Sequence, residues 1–295
     1  MSGAQRRVTS PSGAPRRDIG KAVATRRDGA SRRRVAGHAL WMFDFDNTLA
    51  PLEPAVDWAG SRRELQAWLR AQGVAEALFE EFPRGNLVLY EALRARLCAG
   101  GAAARAVLAR GELAAATPFR AMLDGASAII ERHELAGVGA VAPAPGAIDL
   151  LRALRAAGAA VAIVTSNSSR TVAAWMRAWT GEGPADPETL ADRVDAVDLI
   201  DLIIGRDSGL ALKPSPATVE RVLAACDASP ADAAFVGDSE ADLNAAKAAA
   251  VRFYGVNAKA EGRDRLTALG ASPVFSSPAA MAIHLDLPID RARAG

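Results

Sequence analysis

Short apolar runs recur along the chain from residue 39 onward, with amphipathic stretches between them. The runs occupy 39–45 (ALWMFDF), 160–165 (AVAIVT), 202–205 (LIIG), 233–238 (AAFVGD) and 251–256 (VRFYGV). Apolar runs this short and this continuous are typical of strands that are buried on both faces of a parallel sheet. The pattern therefore predicts five parallel strands.

The stretches between the later runs have the marks of helices. Residues 145–158 (PGAIDLLRALRAAG) begin with Pro and end with Gly, as helices tend to do. Residues 215–229 and 239–250 fill the two crossovers that follow. Strands that alternate with helices in this way predict an α/β core with a doubly wound, Rossmann-like parallel sheet.

One long interval departs from this alternation. Residues 51–143 hold no strand-like run, and amphipathic helical stretches occupy 61–73, 86–101 and 116–137. An interval of about 90 residues is too long for a crossover loop in a compact sheet. It predicts an inserted all-α domain that leaves and rejoins the core at the carboxyl edge of the first strand.

The two chain ends lack a core-forming pattern. Residues 1–38 have no apolar periodicity and are rich in Arg, Ser, Gly and Pro, so they cannot bury enough surface to offset chain entropy. A passive extension is favoured over a targeting or RNA-binding role, because no hydrophobic segment follows the arginines. The predicted organisation is a disordered basic tail (1–38), a core in two parts (39–50 and 144–288), the helical insertion (51–143) and a C-terminal tail (289–295).

The net charge of +1 hides an asymmetry along the chain. Residues 1–38 carry +8, from nine arginines and Lys21 against Asp18 and Asp28, so residues 39–295 carry −7. A nucleic-acid groove needs clustered Lys and Arg, and an acidic body argues against one. No apolar run approaches the ~18 residues of a membrane helix, so neither nucleic acid nor membrane is expected as a partner.

Cysteines and histidines are few and scattered. Cys98 and Cys226 lie far apart in helical stretches, and His38, His133 and His284 are scattered too. This distribution predicts two reduced thiols in a cytoplasmic protein. It offers little for a zinc site or a Ser–His triad.

Polar residues follow the predicted strands at the points where the strands end. The acids Asp44 and Asp46 end the first strand, and Asp238 ends the fourth. The polar residues at the end of the second strand are Thr165, Ser166 and Asn167. Ligands of open α/β sheets bind outside the carboxyl ends of the strands, so these side chains should share one edge.

Lys213 follows the third strand, and it is one of four lysines in a chain with 31 arginines. It can reach the edge where the carboxylates converge. These carboxylates would repel one another unless a cation joined them. Mg2+ takes one or two carboxylates together with water or phosphate oxygens. An ammonium, a hydroxyl and the N–H groups at the start of the helix at 166–175 suit the oxygens of a phosphoryl group. The edge is therefore predicted to bind Mg2+ and a phosphoryl group.

Four motifs follow one another along the chain: DFDNT at 44–48, Thr165 after VAIV, Lys213 in KPSP, and GDSEAD at 237–242. In this order, each at a predicted strand end, they resemble the motifs of the haloacid dehalogenase superfamily. The resemblance extends from Ala39 to near the end of the chain. The helical insertion stands where that family has its first type of cap domain, so the resemblance implies that 51–143 is a cap.

The resemblance implies a role for each matched residue. Asp44 is expected to attack phosphorus and to become an aspartyl phosphate. Asp46 is expected to protonate the leaving oxygen and then to activate the hydrolytic water. Thr165 and Lys213 are expected to hold the phosphoryl oxygens, and Lys213 also offsets the charge on Asp44.

Mg2+ is the cofactor that the resemblance implies. Its expected ligands are the carboxylates of Asp44 and Asp238 and the backbone carbonyl of Asp46, with Asp242 holding a metal-bound water. Ser166 and Asn167 are further candidates for phosphate or substrate contact, chiefly through their backbone N–H groups.

The implied activity is Mg2+-dependent hydrolysis of a small phosphorylated metabolite, either phosphoglycolate-like or a sugar phosphate. Dehalogenases of the family lack the second acid, Asp46, and phosphonate-cleaving members need a cap lysine, which residues 51–143 do not contain. A phosphomutase of the same superfamily is an alternative, since it uses the same two acids. A binding or regulatory protein that has kept the fold without activity is another, and the oligomeric state is left open.

Overall fold

The computed structural model describes residues 33–108, 119–180 and 199–289. The strands in these ranges are β1 (Leu40–Phe43), β2 (Ala160–Val164), β3 (Leu202–Ile204), β4 (Ala233–Gly237), β5 (Arg252–Val256) and β6 (Val274–Phe275). They form one sheet in the order β3-β2-β1-β4-β5-β6, and every neighbouring pair is parallel. This is the strand order of a doubly wound, Rossmann-like core. The predicted fold class is confirmed.

Strand β6 is the strand that the apolar pattern did not predict. It is two residues long, and two apolar residues have no readable period. It pairs with β5 at one edge of the sheet, where Gly255 lies opposite Val274. The other five strands occupy the predicted apolar runs.

In the described ranges, five α-helices lie in the insertion that follows β1, within 51–143. They are α1 (Trp58–Ala71), α2 (Glu76–Glu81), α3 (Asn86–Ala99), α4 (Gly101–Ala106) and α5 (Phe119–Val138). Leu65, Leu69 and Leu93 pack with Met122 and Ile130 into an apolar cluster that is separate from the sheet. The insertion is therefore all-helical in the described ranges and has its own core, and we call it the cap. Helices α2 and α4 have six residues each, too few for periodicity to predict them.

Helices cover both faces of the sheet. They are α6 (Ala147–Ala156), α7 (Ser169–Thr180), α8 (Ala217–Ala225), α9 (Glu240–Ala248), α10 (Ala260–Ala268) and α11 (Pro278–His284). Side chains alternate along β1, so Trp41 and Phe43 pack with α6, α7 and α11, while Leu40 and Met42 pack with α8, α9 and α10. Because both faces are covered, polar side chains gather at the carboxyl edge of the sheet. No helix in the described ranges is long and apolar enough to cross a membrane.

The last six residues of the predicted basic tail belong to the folded core. Val35 is 8% exposed and packs in the cluster that covers one face of the sheet. Val35 and His38 exchange backbone hydrogen bonds of 3.0 and 2.9 Å, and the His38 ring meets Trp41 edge-on. The prediction of a tail over 1–38 is therefore wrong for 33–38. A single buried Val in a polar segment has no period that would reveal it.

The remaining ends of the chain, 1–32 and 290–295, lie outside the described residues. Ile289, which the prediction placed in the C-terminal tail, packs against the core. The predicted tail at 289–295 therefore begins at least one residue later.

Two truncations separate the contributions of the N-terminal segment. Removing 1–38 should lower the melting temperature by several degrees relative to removing 1–32, because burying a Val side chain contributes about 1.5 to 3 kcal/mol. Thermal unfolding followed by circular dichroism measures the difference. Catalytic efficiency well below the melting temperature should stay within about twofold in both, since neither segment holds a predicted site residue. Equal melting temperatures would show that 33–38 add no stability.

Candidate active site

Acidic side chains from three elements meet at the carboxyl edge of the sheet. Asp44 follows β1, Asp238 follows β4, and Asp242 lies in the first turn of α9. One oxygen from each lies within 4.8 Å of the others, close enough for the three carboxylates to share a metal ion. Asp44 and Asp242 are buried, whereas Asp238 is partly exposed. We call these three residues the acid cluster.

A tight turn over residues 45–50 follows β1, and Asp46 lies near its start. The N–H of Ala50 donates to the carbonyl of Phe45 at 3.1 Å, which closes the turn. Asn47 adopts a φ of +60°, a left-handed conformation that Asn tolerates better than most residues. The buried Phe45 ring anchors the turn against the core. Asp46 therefore lies in the turn, beyond the end of β1 that Asp44 directly follows.

Asp46 is held by the segment that leads into the cap. Its Oδ1 accepts hydrogen bonds from the N–H groups of Leu52 and Glu53, at 2.8 and 3.0 Å. Burial raises the pKa of Asp46 to about 6, although these hydrogen bonds oppose the shift. A carboxyl with a pKa near neutral pH can give a proton in one step and accept one in the next.

Lys213 bridges two members of the acid cluster. Its Nζ lies 2.5 Å from Oδ1 of Asp44 and 2.5 Å from Oδ1 of Asp242, and it donates to the Val164 carbonyl at 3.2 Å. Its side chain is 6% exposed. Burial alone would lower the pKa of Lys213, but the carboxylates of Asp242 and Asp44 raise it above its usual value. The ammonium is therefore charged and fixed at the strand ends.

Asp242 is oriented by a capping box at the start of α9. Its Oδ2 accepts from the hydroxyl of Ser239 at 2.6 Å and from the N–H of the same residue at 3.1 Å. A Cβ on Gly237 would lie 2.5 Å from the Cβ of Asp242, so glycine makes room for this close approach. The other oxygen of Asp242 is left facing Lys213. Its predicted role in holding a metal-bound water stays a prediction.

The electrostatics of the acid cluster favour a bound cation. Burial raises the pKa of Asp44 to about 7, although Lys213 opposes the shift. Burial and then the charges of Asp44 and Asp242 raise the pKa of Asp238 to about 8. One ammonium therefore does not offset three ionised carboxylates. Carboxylate oxygens are the ligands that Mg2+ prefers, so the donor set fits the expected metal.

The end of β2 brings Thr165 to the same edge. The N–H of Thr165 donates to the carbonyl of Ile204, and Lys213 lies against the neighbouring Val164 carbonyl. The Thr165 hydroxyl donates to Oδ1 of Asn167 and accepts from the Asn167 N–H, both at 3.1 Å. Thr165 thus lies at the end of β2, and its contact with a phosphoryl group stays a prediction. Ser166, the next residue, is partly exposed.

The side chain of Asn167 is engaged by other residues of the chain. Its side-chain amide donates to Oε1 of Glu134 on the cap helix α5, at 3.1 Å. Its N–H and Oδ1 are both engaged by Thr165. This arrangement argues against the predicted phosphate contact for Asn167. The reason is a tertiary contact with α5, which the sequence around Asn167 does not reveal.

Two protein carboxylates occupy the start of α7. The Ser168 N–H donates to Oε2 of Glu134 at 3.1 Å, and the Ser169 N–H donates to Oδ1 of Asp207 at 2.8 Å. The N-terminal end of a helix attracts anions because its first N–H groups lack partners. Here those groups already bind side chains of the same chain. The expectation that they bind phosphate is therefore wrong for Ser168 and Ser169.

Sequence reasoning missed three charged residues beside the site: Glu134, Arg206 and Asp207. Arg206 and Asp207 follow β3 directly, in LIIGRD, so they obey the same strand-end rule as the predicted residues. That position was a usable signal. Glu134 is a charged residue on the apolar stripe of α5, four residues after Ile130, which was a weaker signal.

Comparisons with known proteins identify the chain. The family model described as haloacid dehalogenase-like hydrolase matches residues 40–250, from β1 through the cap to the end of α9. A phosphoglycolate phosphatase of Pseudomonas putida is 31% identical over 217 residues, which is 74% of this chain and 68% of that protein. Phosphoglycolate phosphatase 1 of Pseudomonas aeruginosa is 35% identical over 117 residues, which is 38% of each chain.

A solved structure shares the fold. It is a mutant of CbbY from Rhodobacter sphaeroides in complex with xylulose-(1,5)bisphosphate, at 24% identity with a TM-score of 0.52. The similarity covers 82% of this chain and 95% of that chain.

The chain belongs to the haloacid dehalogenase-like hydrolase family. Within the family it is a hydrolase of the phosphatase kind, similar to phosphoglycolate phosphatases. The predicted family and enzyme class are both confirmed.

Proposed function

We propose that the chain is a Mg2+-dependent phosphomonoester hydrolase that works through an aspartyl phosphate. The observation that supports this best is the setting of Asp44. It is buried at a strand end, its Oδ1 lies 2.5 Å from the Lys213 ammonium, and it shares the acid cluster. An anionic nucleophile that is held beside a fixed positive charge suits attack on a phosphoryl group.

The two acids that follow β1 divide the work of the reaction. In the first step a carboxylate oxygen of Asp44 bonds to phosphorus, the bond from phosphorus to the leaving oxygen breaks, and Asp46 gives that oxygen a proton. In the second step Asp46 takes a proton from water as the water oxygen bonds to phosphorus. The bond to Asp44 then breaks and inorganic phosphate leaves. General acid and base help of this kind contributes about 10^2 to 10^4-fold.

The residues that would hold Mg2+ are Asp44, Asp238 and the backbone carbonyl of Asp46, with Asp242 reached through a water. Bound there, Mg2+ would supply positive charge to the phosphoryl oxygens and to the acid cluster. Lys213, which follows β3, supplies a second positive charge at the same edge of the sheet. The Thr165 hydroxyl, which donates to Asn167 in the structure, would donate to a phosphoryl oxygen when the substrate binds.

Hydrolysis should require Mg2+, and Ca2+ should suppress it, because Ca2+ favours more ligands at longer bonds. Mg2+ alone should also raise the melting temperature of the wild-type protein, since a ligand that binds only the folded state stabilises it. Asp238→Asn should lose both responses, whereas Asp264→Asn, an exposed acid on α10, should keep them. Full turnover in the presence of a chelator would contradict the metal site.

Lys213→Ala should lose activity by on the order of 10^2-fold or more, because it removes a fixed charge that stabilises the phosphoryl oxygens. The comparison is kcat/KM with Mg2+ present. Lys259→Ala removes an exposed lysine and is the control. Rates near wild type in Lys213→Ala would mean that the ammonium does not act on the reacting group.

The proposed substrate is a small phosphorylated metabolite of the cytoplasm, either phosphoglycolate-like or a sugar phosphate. The curated relatives, which are named phosphoglycolate phosphatases, support the first class. The test is phosphate release from p-nitrophenyl phosphate with and without Mg2+, followed by kcat/KM for phosphoglycolate, sugar phosphates, nucleotides and pyrophosphate. Phosphoglycolate or a sugar phosphate should have the highest value. Transfer of the phosphoryl group within a sugar phosphate, without release of phosphate, would indicate a mutase instead.

A further inference from the structure

A fully buried ion pair joins the cap to the core beside the candidate active site. Glu134 lies in the last part of α5, and Arg206 follows β3. Both side chains are 0% exposed, with Nη1 2.8 Å from Oε1 and Nη2 3.3 Å from Oε2. The proposed reaction uses neither residue. An ion pair removed from water this completely often adds little stability over an apolar pair of similar size, so a role other than stability is the better explanation.

The Glu134 carboxylate accepts hydrogen bonds from the segment that follows Thr165. Besides Arg206, it accepts from the Asn167 amide at 3.1 Å, from the Ser168 N–H at 3.1 Å and from the Thr171 hydroxyl at 2.9 Å. One cap side chain thus fixes both the end of the loop and the first turn of α7.

Arg206 fixes the same segment from the side of β3. Its Nη1 donates to the Ser166 carbonyl at 2.8 Å, and its backbone N–H donates to the Asn167 carbonyl at 2.9 Å. Arg206 therefore sets the orientation of two successive peptide planes after Thr165. Its guanidinium also donates to the hydroxyl and the carbonyl of Ser127 on α5, at 3.2 and 3.3 Å.

We propose that Glu134 and Arg206 are positioning residues for the phosphoryl group. Together they hold loop 165–168 in the shape that presents Thr165 and Ser166 to the edge of the sheet, and they tie that shape to the seating of the cap. The inference rests on the proposed function, since it assigns a purpose to a loop that would hold the phosphoryl group. Neither residue touches the substrate.

Two variants test the pair, so that the test still works if one of them fails to fold. Arg206→Lys keeps a charge opposite Glu134 but loses the planar fork that reaches Ser166 and Ser127 together. The double variant Glu134→Leu with Arg206→Met removes both charges and fills the space with apolar atoms, an exchange that buried ion pairs often tolerate. Arg132→Gln is the control, because Arg132 is an exposed residue of the same helix that pairs with Glu64.

The measurements are kcat, KM and the inhibition constant of inorganic phosphate, with the folded fraction taken from circular dichroism. We expect KM and the phosphate inhibition constant to rise about tenfold or more in both variants, with a smaller change in kcat, because a misplaced loop weakens substrate and transition state alike. The control should match wild type. If the pair is purely structural, the variants should lower the folded fraction and leave KM and the phosphate inhibition constant unchanged.

The inference would be overturned if folded Arg206→Lys had a KM and a phosphate inhibition constant within twofold of wild type. This holds even if the double variant failed to fold. The same result in the folded double variant would overturn it independently. A wild-type protein that hydrolyses no phosphomonoester with Mg2+ would instead contradict the proposed function. The two failures are therefore distinguishable.

Discussion

Asp44→Asn is expected to lose hydrolysis by on the order of 10^4-fold or more, as enzymes do when the nucleophile of a covalent mechanism is removed. The amide nitrogen and the neutral carbonyl of Asn cannot form the acyl phosphate that the two-step reaction needs. The loss should appear with every substrate, whatever its leaving group. The measurement is kcat/KM with p-nitrophenyl phosphate and with phosphoglycolate, at saturating Mg2+.

The Asp44→Asn variant should stay folded, which makes its loss of activity interpretable. Burial already raises the pKa of Asp44 to about 7, so a neutral group is tolerated at this position. Lys213 also retains Asp242 as a partner at 2.5 Å. Asp149→Asn, at a partly exposed acid on α6, should keep wild-type rates and serves as the control. Wild-type rates in Asp44→Asn would rule out an aspartyl phosphate at this residue.

The meeting of Asp44 and Asp238 was predictable from sequence, because residues that follow parallel strands lie at the same edge of the sheet. Each apolar run shows where a strand ends, and parallel strands end at one edge. Asp44 and Asp238, almost 200 residues apart in the chain, therefore required no knowledge of packing to be placed together. Lys213 was predictable for the same reason, since it follows β3 by a short loop.

Contacts across the cap were not predictable, because periodicity shows which face of a helix is apolar but not where that face docks. Glu134 lies on the buried face of α5 with Ala126 and Ile130, and it is fully buried against Arg206. Glu134 also accepts a hydrogen bond from the Asn167 amide and one from the Ser168 N–H at the start of α7. An expectation based on the helix end alone therefore failed at Ser168.

For Asp46, in contrast, the structure adds a contact that makes the role expected from sequence easier to test. The sequence placed it two residues after Asp44, and the structure places it in the turn that follows β1. The structure shows that its Oδ1 is held by two N–H groups at the entry to the cap. An Asn side chain has an oxygen that can accept the same two hydrogen bonds. The Asp46→Asn variant therefore changes the proton chemistry while keeping the geometry.

Asp46→Asn should separate the two steps of the reaction. p-Nitrophenolate leaves with little need of a proton, so phosphorylation of Asp44 should survive in the variant. Hydrolysis of the aspartyl phosphate needs a base to draw a proton from water, and an amide cannot act as one. The expected result is a burst of nitrophenolate close to one per active site, followed by a slow steady state. Rapid-mixing absorbance measurements check it, and Asp44→Asn should show no burst.

A poor leaving group provides the internal control for this assignment. With an alkyl phosphate, Asp46→Asn should lose the burst as well, because general acid help of ~10^2 to 10^4-fold is then needed in the first step too. A radioactive phosphoryl donor should label Asp44 in the Asp46→Asn variant and leave Asp44→Asn unlabelled. If Asp46→Asn turns over both kinds of substrate at wild-type rates, or if no label reaches Asp44, the covalent mechanism is wrong. The two acids after β1 would then serve only to bind metal.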